Sequence, residues 1–279
     1  MELKYLLGRT GCIETPMAMV AFYQLSGEEL ILFDSGREPD PELLELLERE
    51  HLRVRAVLCT HLHEDHIANN EALVSRYGTE IYASKGDIAE LFSRDSVPYP
   101  ILEIGNGETL TIDNTEIQLL PLVGHTEGQT AYVTPDGVCC VGDAIMTEKP
   151  LERAKIPYMD DVDESMVSME RLRQTEYPLY VVAHKGVVTR EELSGLIDRN
   201  IQKELELYDL LRSRIVEPTL LEQVITDFIR GAGVLSQKMV DEGYVRHTAK
   251  VRVLALTHAG EFSLVDDMVI PNRFDRSDE

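Results

Sequence analysis

The first two thirds of the chain alternate short apolar runs with turn-forming residues, a pattern that predicts β-strands. The runs at 18–24 (AMVAFYQ) and 29–33 (ELILF) flank Ser26-Gly27 and read as a hairpin. A buried-type strand is predicted at 56–60 (AVLCT), a helix at 68–77 ending at Gly78, and a strand at 80–84. Two further hairpins are predicted. The runs 109–112 and 115–120 flank Asp113-Asn114, and 129–134 and 138–142 flank Pro135-Asp136-Gly137. A polar stretch at 147–165 leads into a helix at 164–175 and a last strand, LYVVAH, at 179–184. From about residue 190 the spacing turns helical, over 190–215, 218–231 and 234–243. A closing strand pair is expected from VRVLAL (251–256) and FSLVDD (262–267), joined around His258-Ala259-Gly260. This change of character places a boundary near 190–196. The expected units are 1–195 and a mainly helical 196–279.

Length and composition narrow the class. A chain of 279 residues with 43% hydrophobic residues folds around a large core. No run is long and apolar enough to span a bilayer, and the start, MELKYLLGRTGCIETP, lacks a secretory pattern. The formal charge is 27 − 50 = −23, which repels phosphate backbones and anionic membranes. The four cysteines, Cys12, Cys59, Cys139 and Cys140, form no C-x-x-C pair. A cytoplasmic protein with reduced thiols is the expectation, with neither nucleic acid nor membrane as partner.

The chemistry-bearing signal is Thr60-His61-Leu62-His63-Glu64-Asp65-His66, directly after a predicted buried strand. Imidazole nitrogen and carboxylate oxygen are the ligands zinc and related borderline metals favour. In extended chain, positions i and i+2 point the same way, so His61 and His63 can share one ion, and Asp65 and His66 can reach a second after the turn. Three more candidates stand where strands give way to loops: His125 in Gly124-His125-Thr126-Glu127-Gly128, Asp143 after Val141-Gly142, and His184 at the end of 179–184. A lone histidine at a strand end is usually a satisfied polar residue. Three histidines and an aspartate buried in one run are poorly explained by packing. His51, His247 and His258 have no such context and read as surface or local hydrogen-bonding groups.

These motifs, in this order over roughly residues 1–190, resemble the metallo-β-lactamase superfamily. Phe33-Asp34-Ser35-Gly36 resembles its first motif, in which the aspartate supports the metal loop as a structural residue. Thr60 to His66 resembles the second, Gly124 to Gly128 the third, Gly142-Asp143 the fourth and His184 the fifth. The resemblance implies an α/β fold, a four-layer αββα sandwich with the site along one sheet edge. It implies two divalent metal ions, zinc in the first place with iron or manganese as alternatives. His61, His63 and His125 would hold one ion, Asp65, His66 and His184 the other, and Asp143 would bridge. Asp65 would also be the catalytic residue, orienting or deprotonating the nucleophile and returning a proton to the leaving group. Two departures stand out. The family often ends in Gly-His-Gly around the last ligand, whereas this chain has Ala183-His184-Lys185-Gly186. Di-iron redox relatives commonly carry glutamate where this chain has His63, which favours hydrolysis.

The fold hosts many hydrolases, so the substrate must be argued separately. Only about forty residues separate Asp143 from His184, and the chain is acidic, which discounts nucleases. The helical C-terminal segment resembles that of the glyoxalase II type, without its substrate-binding motifs. The lactonase type often places a tyrosine soon after the bridging aspartate. Here Ala144-Ile145-Met146 follows, and Tyr158 comes later as a candidate substrate contact and oxyanion donor, or equally an exposed loop residue. The expected reaction is hydrolysis of a small ester, thioester or lactone. The alternatives are a mononuclear iron sulfur dioxygenase and a regulator working through the C-terminal unit, whose end faintly resembles the third helix and wing of a winged helix. Its basic residues Arg246, Lys250 and Arg252 are few beside its acids. A packing or homo-oligomeric role is therefore preferred to DNA binding.

Overall fold

The structure is a computed structural model that describes residues 2–15, 18–37, 39–94, 96–105, 108–184 and 186–272. The chain opens with β1 (Leu3–Leu7), β2 (Thr10–Glu14), β3 (Met19–Gln24) and β4 (Glu29–Phe33), followed by α1 (Pro41–Arg49) and β5 (Arg53–Leu58). Next come α2 (Glu64–Ile67), α3 (Asn70–Tyr77), β6 (Glu80–Ala83), α4 (Lys85–Arg94) and β7 (Ile101–Glu103). These strands form a seven-stranded sheet in sequence order. A second, six-stranded sheet holds β8 (Thr109–Ile112), β9 (Thr115–Pro121), β10 (Thr130–Val133), β11 (Val138–Gly142), β12 (Leu179–Val182) and β13 (Gly186–Thr189). Between β11 and β12 run α5 (Glu148–Arg153) and α6 (Val162–Arg173). The C-terminal part is α7 (Arg190–Arg214), β14 (Thr219–Leu220), α8 (Leu221–Gly231), α9 (Gln237–Asp241), α10 (Gly243–His258), β15 (Phe262–Val265) and β16 (Met268–Pro271).

Three apolar clusters define the layers. Alternate residues of the first sheet, among them Ala21, Ile31, Phe33 and Leu58, meet Ile117, Tyr132, Cys140 and Val181 of the second. The other face of the first sheet, with Phe22, Leu30, Leu32 and Val57, buries Leu43, Leu46 and Leu47 of α1, Leu73 of α3 and Leu91 of α4. The outer face of the second sheet packs on α6 and α7. The result is the αββα sandwich, as strands buried on both faces, such as β4, β10 and β11, require.

Most of the strands predicted from the sequence form, including the Asp113-Asn114 hairpin, whose turn residues take φ 47° and 64°. The helix expected at 68–77 forms as α3, with Gly78 as its left-handed C-cap, and the short α2 precedes it. The polar stretch 147–165 contains α5. One expectation is corrected: VRVLAL is not a strand but the last part of α10, a 16-residue helix that buries Val245, Ala249, Val253 and Leu256. Its β-branched residues favour a strand, but burial at helical spacing decides the outcome. FSLV pairs instead with β16, and β14 adds a third strand.

The position expected for a domain boundary, 195/196, falls inside α7, which begins in a capping box of Thr189 and Glu192. The apolar cluster on the outer face of the second sheet continues without a break through Leu196 and Leu211 into Ile225, Phe228 and Val253. At its centre Arg252 and Glu204, both fully buried, form a two-pronged ion pair, Nε to Oε2 at 2.8 Å and Nη2 to Oε1 at 2.8 Å.

Candidate metal centre

Strand direction explains why distant residues meet. β4, β5 and β6 are parallel. β9 and β11 both run antiparallel to β10, and β12 is parallel to β11. The C-terminal ends of β9, β11 and β12 therefore share one edge, and those of β4 and β5 lie beside it across the sandwich. Thr130 N donates to Thr60 O at 2.9 Å, and Met19 N to Ala183 O at 2.8 Å, tying the two sheets together there. Asp34, His61, His125, Asp143 and His184 each lie within four residues past the end of one of these strands. Gly142 has φ 56°, and a Cβ there would come within 2.5 Å of Thr60 Oγ1, so this approach of the two sheets requires glycine.

All seven candidate ligands converge. Ligand atoms of His61, His63 and His125 lie within 4.8 Å of one another, as do those of His61, His66 and Asp143, and those of Asp65, His66 and His184. His125 Nε2 is 3.0 Å from His63 Nδ1, and His184 Nε2 is 3.0 Å from Asp143 Oδ2. Asp143 Oδ2 also lies 3.6 Å from His66 Nε2 and 3.8 Å from His125 Nε2, a central position between the two groups. Asp65 Oδ2 is 3.6 Å from His184 Nε2. Lys185, which follows the last candidate ligand, lies outside the described residues.

Outer contacts fix the ring orientations. His125 Nδ1 sits 3.0 Å from the carbonyl of Tyr158, which can only accept, so Nδ1 carries the proton and Nε2 faces the site with its lone pair. His66 Nδ1 sits 2.8 Å from Asp34 Oδ2 and is protonated for the same reason. Asp34 also accepts from Thr60 N at 2.7 Å and Thr60 Oγ1 at 2.8 Å, and it holds φ 62°, an unusual backbone state for a residue with a Cβ. The adjoining Ser35 N donates to His66 O at 2.7 Å, strapping α2 to the loop after β4.

The electrostatics divide the imidazoles. Burial, together with neighbouring imidazoles, lowers the pKa of His61 well below its ordinary value and that of His63 to about 3. Burial also lowers that of His125, so all three stay in the neutral, ligating form. Burial opposes charge on His66 as well, but Asp34 and Asp143 outweigh it and hold its pKa well above the ordinary value. At His184 the charge of Asp143 is the leading cause of an upward shift. Asp143 itself is penalised by burial, yet His66 and His184 hold its pKa well below the usual carboxylate range. Carboxylates that favour a proton on these imidazoles favour a metal cation in its place. His61 Nε2, His66 Nε2 and Asp143 Oδ1 are buried without a hydrogen-bond partner, and metal coordination would satisfy all three.

Asp34→Ala is expected to lower stability and metal occupancy together. It strands the buried Thr60 amide, a cost of about 1–3 kcal/mol, and releases the His66 ring, a loss of roughly 10–100-fold in metal affinity. Thermal unfolding of the metal-free protein and chelator competition measure the two effects separately. Unchanged metal affinity would remove Asp34 from its supporting role.

Tyr158 is half-buried beside the candidate ligands, its ring centroid 5.0 Å from that of His63 and 5.4 Å from that of His125. It lines a pocket of about 680 Å³ together with Asp65, Met146, Arg37 and Tyr244. Two residues here have no local signal in the sequence. His247 Nε2 lies 2.8 Å from Asp160 Oδ1, which also accepts from Tyr158 OH at 2.8 Å, and the His247 ring stacks on Tyr158 at 5.7 Å. Tyr244, like His247, comes from α10. Reading 243–258 as one helix would have placed Tyr244, His247 and Thr248 on one face by their i, i+3, i+4 spacing. Two of the three basic residues of this segment are engaged within the chain, Arg252 with Glu204 and Arg246 with Glu222, and Lys250 is exposed. Among the described residues no helix is long and apolar enough to cross a membrane.

Comparison with known proteins identifies the family of the fold. The hydroxyacylglutathione hydrolase of Acidiphilium cryptum (strain JF-5) is 30% identical over 104 residues, 37% of this chain and 40% of the relative. The chain spans about two fifths of the length of such curated relatives. A metallo-beta-lactamase family protein from Thermus thermophilus superposes with a TM-score of 0.71 at 14% identity, covering 96% of this chain and 98% of its own. A beta-lactamase domain protein from Burkholderia ambifaria gives 0.71 at 15%, covering 97% and 93%. At those identities the likeness concerns the fold, and it takes in the C-terminal helices. The model of the metallo-beta-lactamase superfamily matches residues 17–184, more than half of the chain, and the chain belongs to that superfamily.

Proposed function

We propose that this chain is a dinuclear-metal hydrolase that cleaves a small ester, thioester or lactone. The observation that carries this reading is the set of three buried, unpartnered ligand atoms, His61 Nε2, His66 Nε2 and Asp143 Oδ1, inside a seven-residue donor set. Seven donors exceed what one tetrahedral ion needs. His61, His63 and His125 would hold one ion and Asp65, His66 and His184 the other, with Asp143 between them. When bound, such a pair lowers the pKa of a coordinated water and polarises the carbonyl under attack. Zinc suits this nitrogen and oxygen set, and iron or manganese would also fit it. Asp65 reaches the pocket, where it can orient the attacking water, take its proton and deliver it to the leaving group. The ester-type commitment draws on the curated relatives named hydroxyacylglutathione hydrolase, which put a thioester first in any panel. The pocket, and the pairing of Arg246 and Arg252 of α10 within the chain, support a small-molecule substrate over nucleic acid. The unit 196–279 would then serve the pocket wall.

Elemental analysis of protein purified without chelator is expected to give about two transition-metal ions per chain. A panel of thioesters, lactones and phosphodiesters should show acid release from one of the first two classes. A stoichiometry capped at one, with iron bound and oxygen consumed, would replace this reading with the dioxygenase.

A further inference from the structure

α10 does more than cover the second sheet, because its inward face grips the loop that carries Tyr158. Thr248 Oγ1 donates to Pro157 O at 2.9 Å and accepts from Met159 N at 3.1 Å. Arg252 Nη2 donates to Pro157 O at 3.0 Å. Asp160 N and Asp161 N both donate to Gly124 O at 2.9 Å, beside His125. With the backbone fixed on both sides, two side chains set the Tyr158 ring. A carboxylate only accepts, so Asp160 Oδ1 takes a hydrogen from Tyr158 OH and another from His247 Nε2. Tyr158 has one hydroxyl hydrogen, and it is committed to Asp160. The face-on His247 ring, 22° from parallel, holds the tyrosine plane.

Building on the hydrolase reading above, we propose that Asp160 and His247 are positioning residues that lock Tyr158 as a substrate-binding wall, and that Tyr158 donates no hydrogen bond to the developing oxyanion. On this proposal Tyr158 serves the substrate-contact role expected from the sequence, as a binding surface in place of an oxyanion donor. The wall is completed from α10, beyond the span that the family model matches. The substrate portion lying there is a flat or apolar group that packs on an aromatic ring. The carbonyl oxygen under attack lies on the side of the candidate ligands.

The test combines kinetics on the best thioester or lactone of the panel with amide hydrogen exchange of residues 158–161 in the metal-loaded protein. Tyr158→Phe is expected to keep kcat within about threefold, with the change confined to KM. His247→Leu, at a half-exposed position, should raise KM about tenfold with little change in kcat, and should speed exchange of the loop amides. His247→Gln keeps a donor for Asp160 but loses the ring, and should restore both readouts in part. A fall in kcat of about a hundredfold or more in Tyr158→Phe, the size expected for a lost oxyanion donor, would overturn the proposal. So would unchanged KM and exchange in His247→Leu, or a glutamine variant no better than leucine. If the wild-type protein turns over none of the panel, the hydrolase reading fails. The exchange measurements still decide whether His247 clamps the loop.

Discussion

Asp65→Ala should cut turnover by at least about a thousandfold while the fold and most of the metal content survive. In the proposed reaction the residue combines two roles. It completes the group with His66 and His184, and its carboxylate is the only acidic one among the candidate ligands with substantial exposure, at 33%, against 6% for Asp143. That exposure lets it exchange protons with substrate and solvent, whereas Asp143 is enclosed by imidazoles. The variant keeps His61, His63, His125 and Asp143 intact, so the first metal position should fill normally. Steady-state kinetics, far-ultraviolet circular dichroism and elemental analysis on the same preparation check all three statements. Near-wild-type turnover would end the proton-handling assignment.

The second large effect lies far from the metal ligands. Arg252→Met is expected to destabilise the protein by about 3–5 kcal/mol, because it leaves the Glu204 carboxylate buried without its partner. Arg252 also donates to Thr248 O at 2.8 Å and Thr248 Oγ1 at 2.7 Å, so the loss spreads along the grip on Pro157. Replacing both members, Arg252→Met with Glu204→Leu, removes the uncompensated charge and should recover much of that stability. Urea unfolding of the two variants and the wild type forms the comparison. A single variant as stable as the wild type would mean that Glu204 finds water or a proton with little penalty.

The contrast between these two residues shows what the sequence makes legible. Asp65 belongs to a run of six positions in which three histidines and an aspartate share one loop, and the other candidate ligands stand at the ends of strands with clear apolar signatures. Both signals are local. The wall of the pocket is not local: His247 meets Asp160 across 87 positions, and Arg252 meets Glu204 across 48. The VRVLAL segment misleads because an arginine among aliphatic residues looks like the outward side of a strand. Arg252 points inward, and only the buried glutamate of α7 makes that tolerable. The β1–β2 hairpin and α1 lie outside the sequence expectations. β1 is mostly solvent-facing, while α1 carries its own start signal in the Asp40 cap followed by Pro41.

The unbroken apolar cluster from the second sheet through α7 into α8 and α10 has a consequence for modularity. A C-terminal unit joined by a thin interface could be exchanged between proteins as a cassette. Here the helices share side-chain packing with the sheet whose edge presents Asp143 and His184, so the two parts should melt as one cooperative block. New pocket walls in such an architecture arise by substitution along the exposed end of α10, at positions such as Tyr244, and shuffling of whole segments would leave the sheet face uncovered.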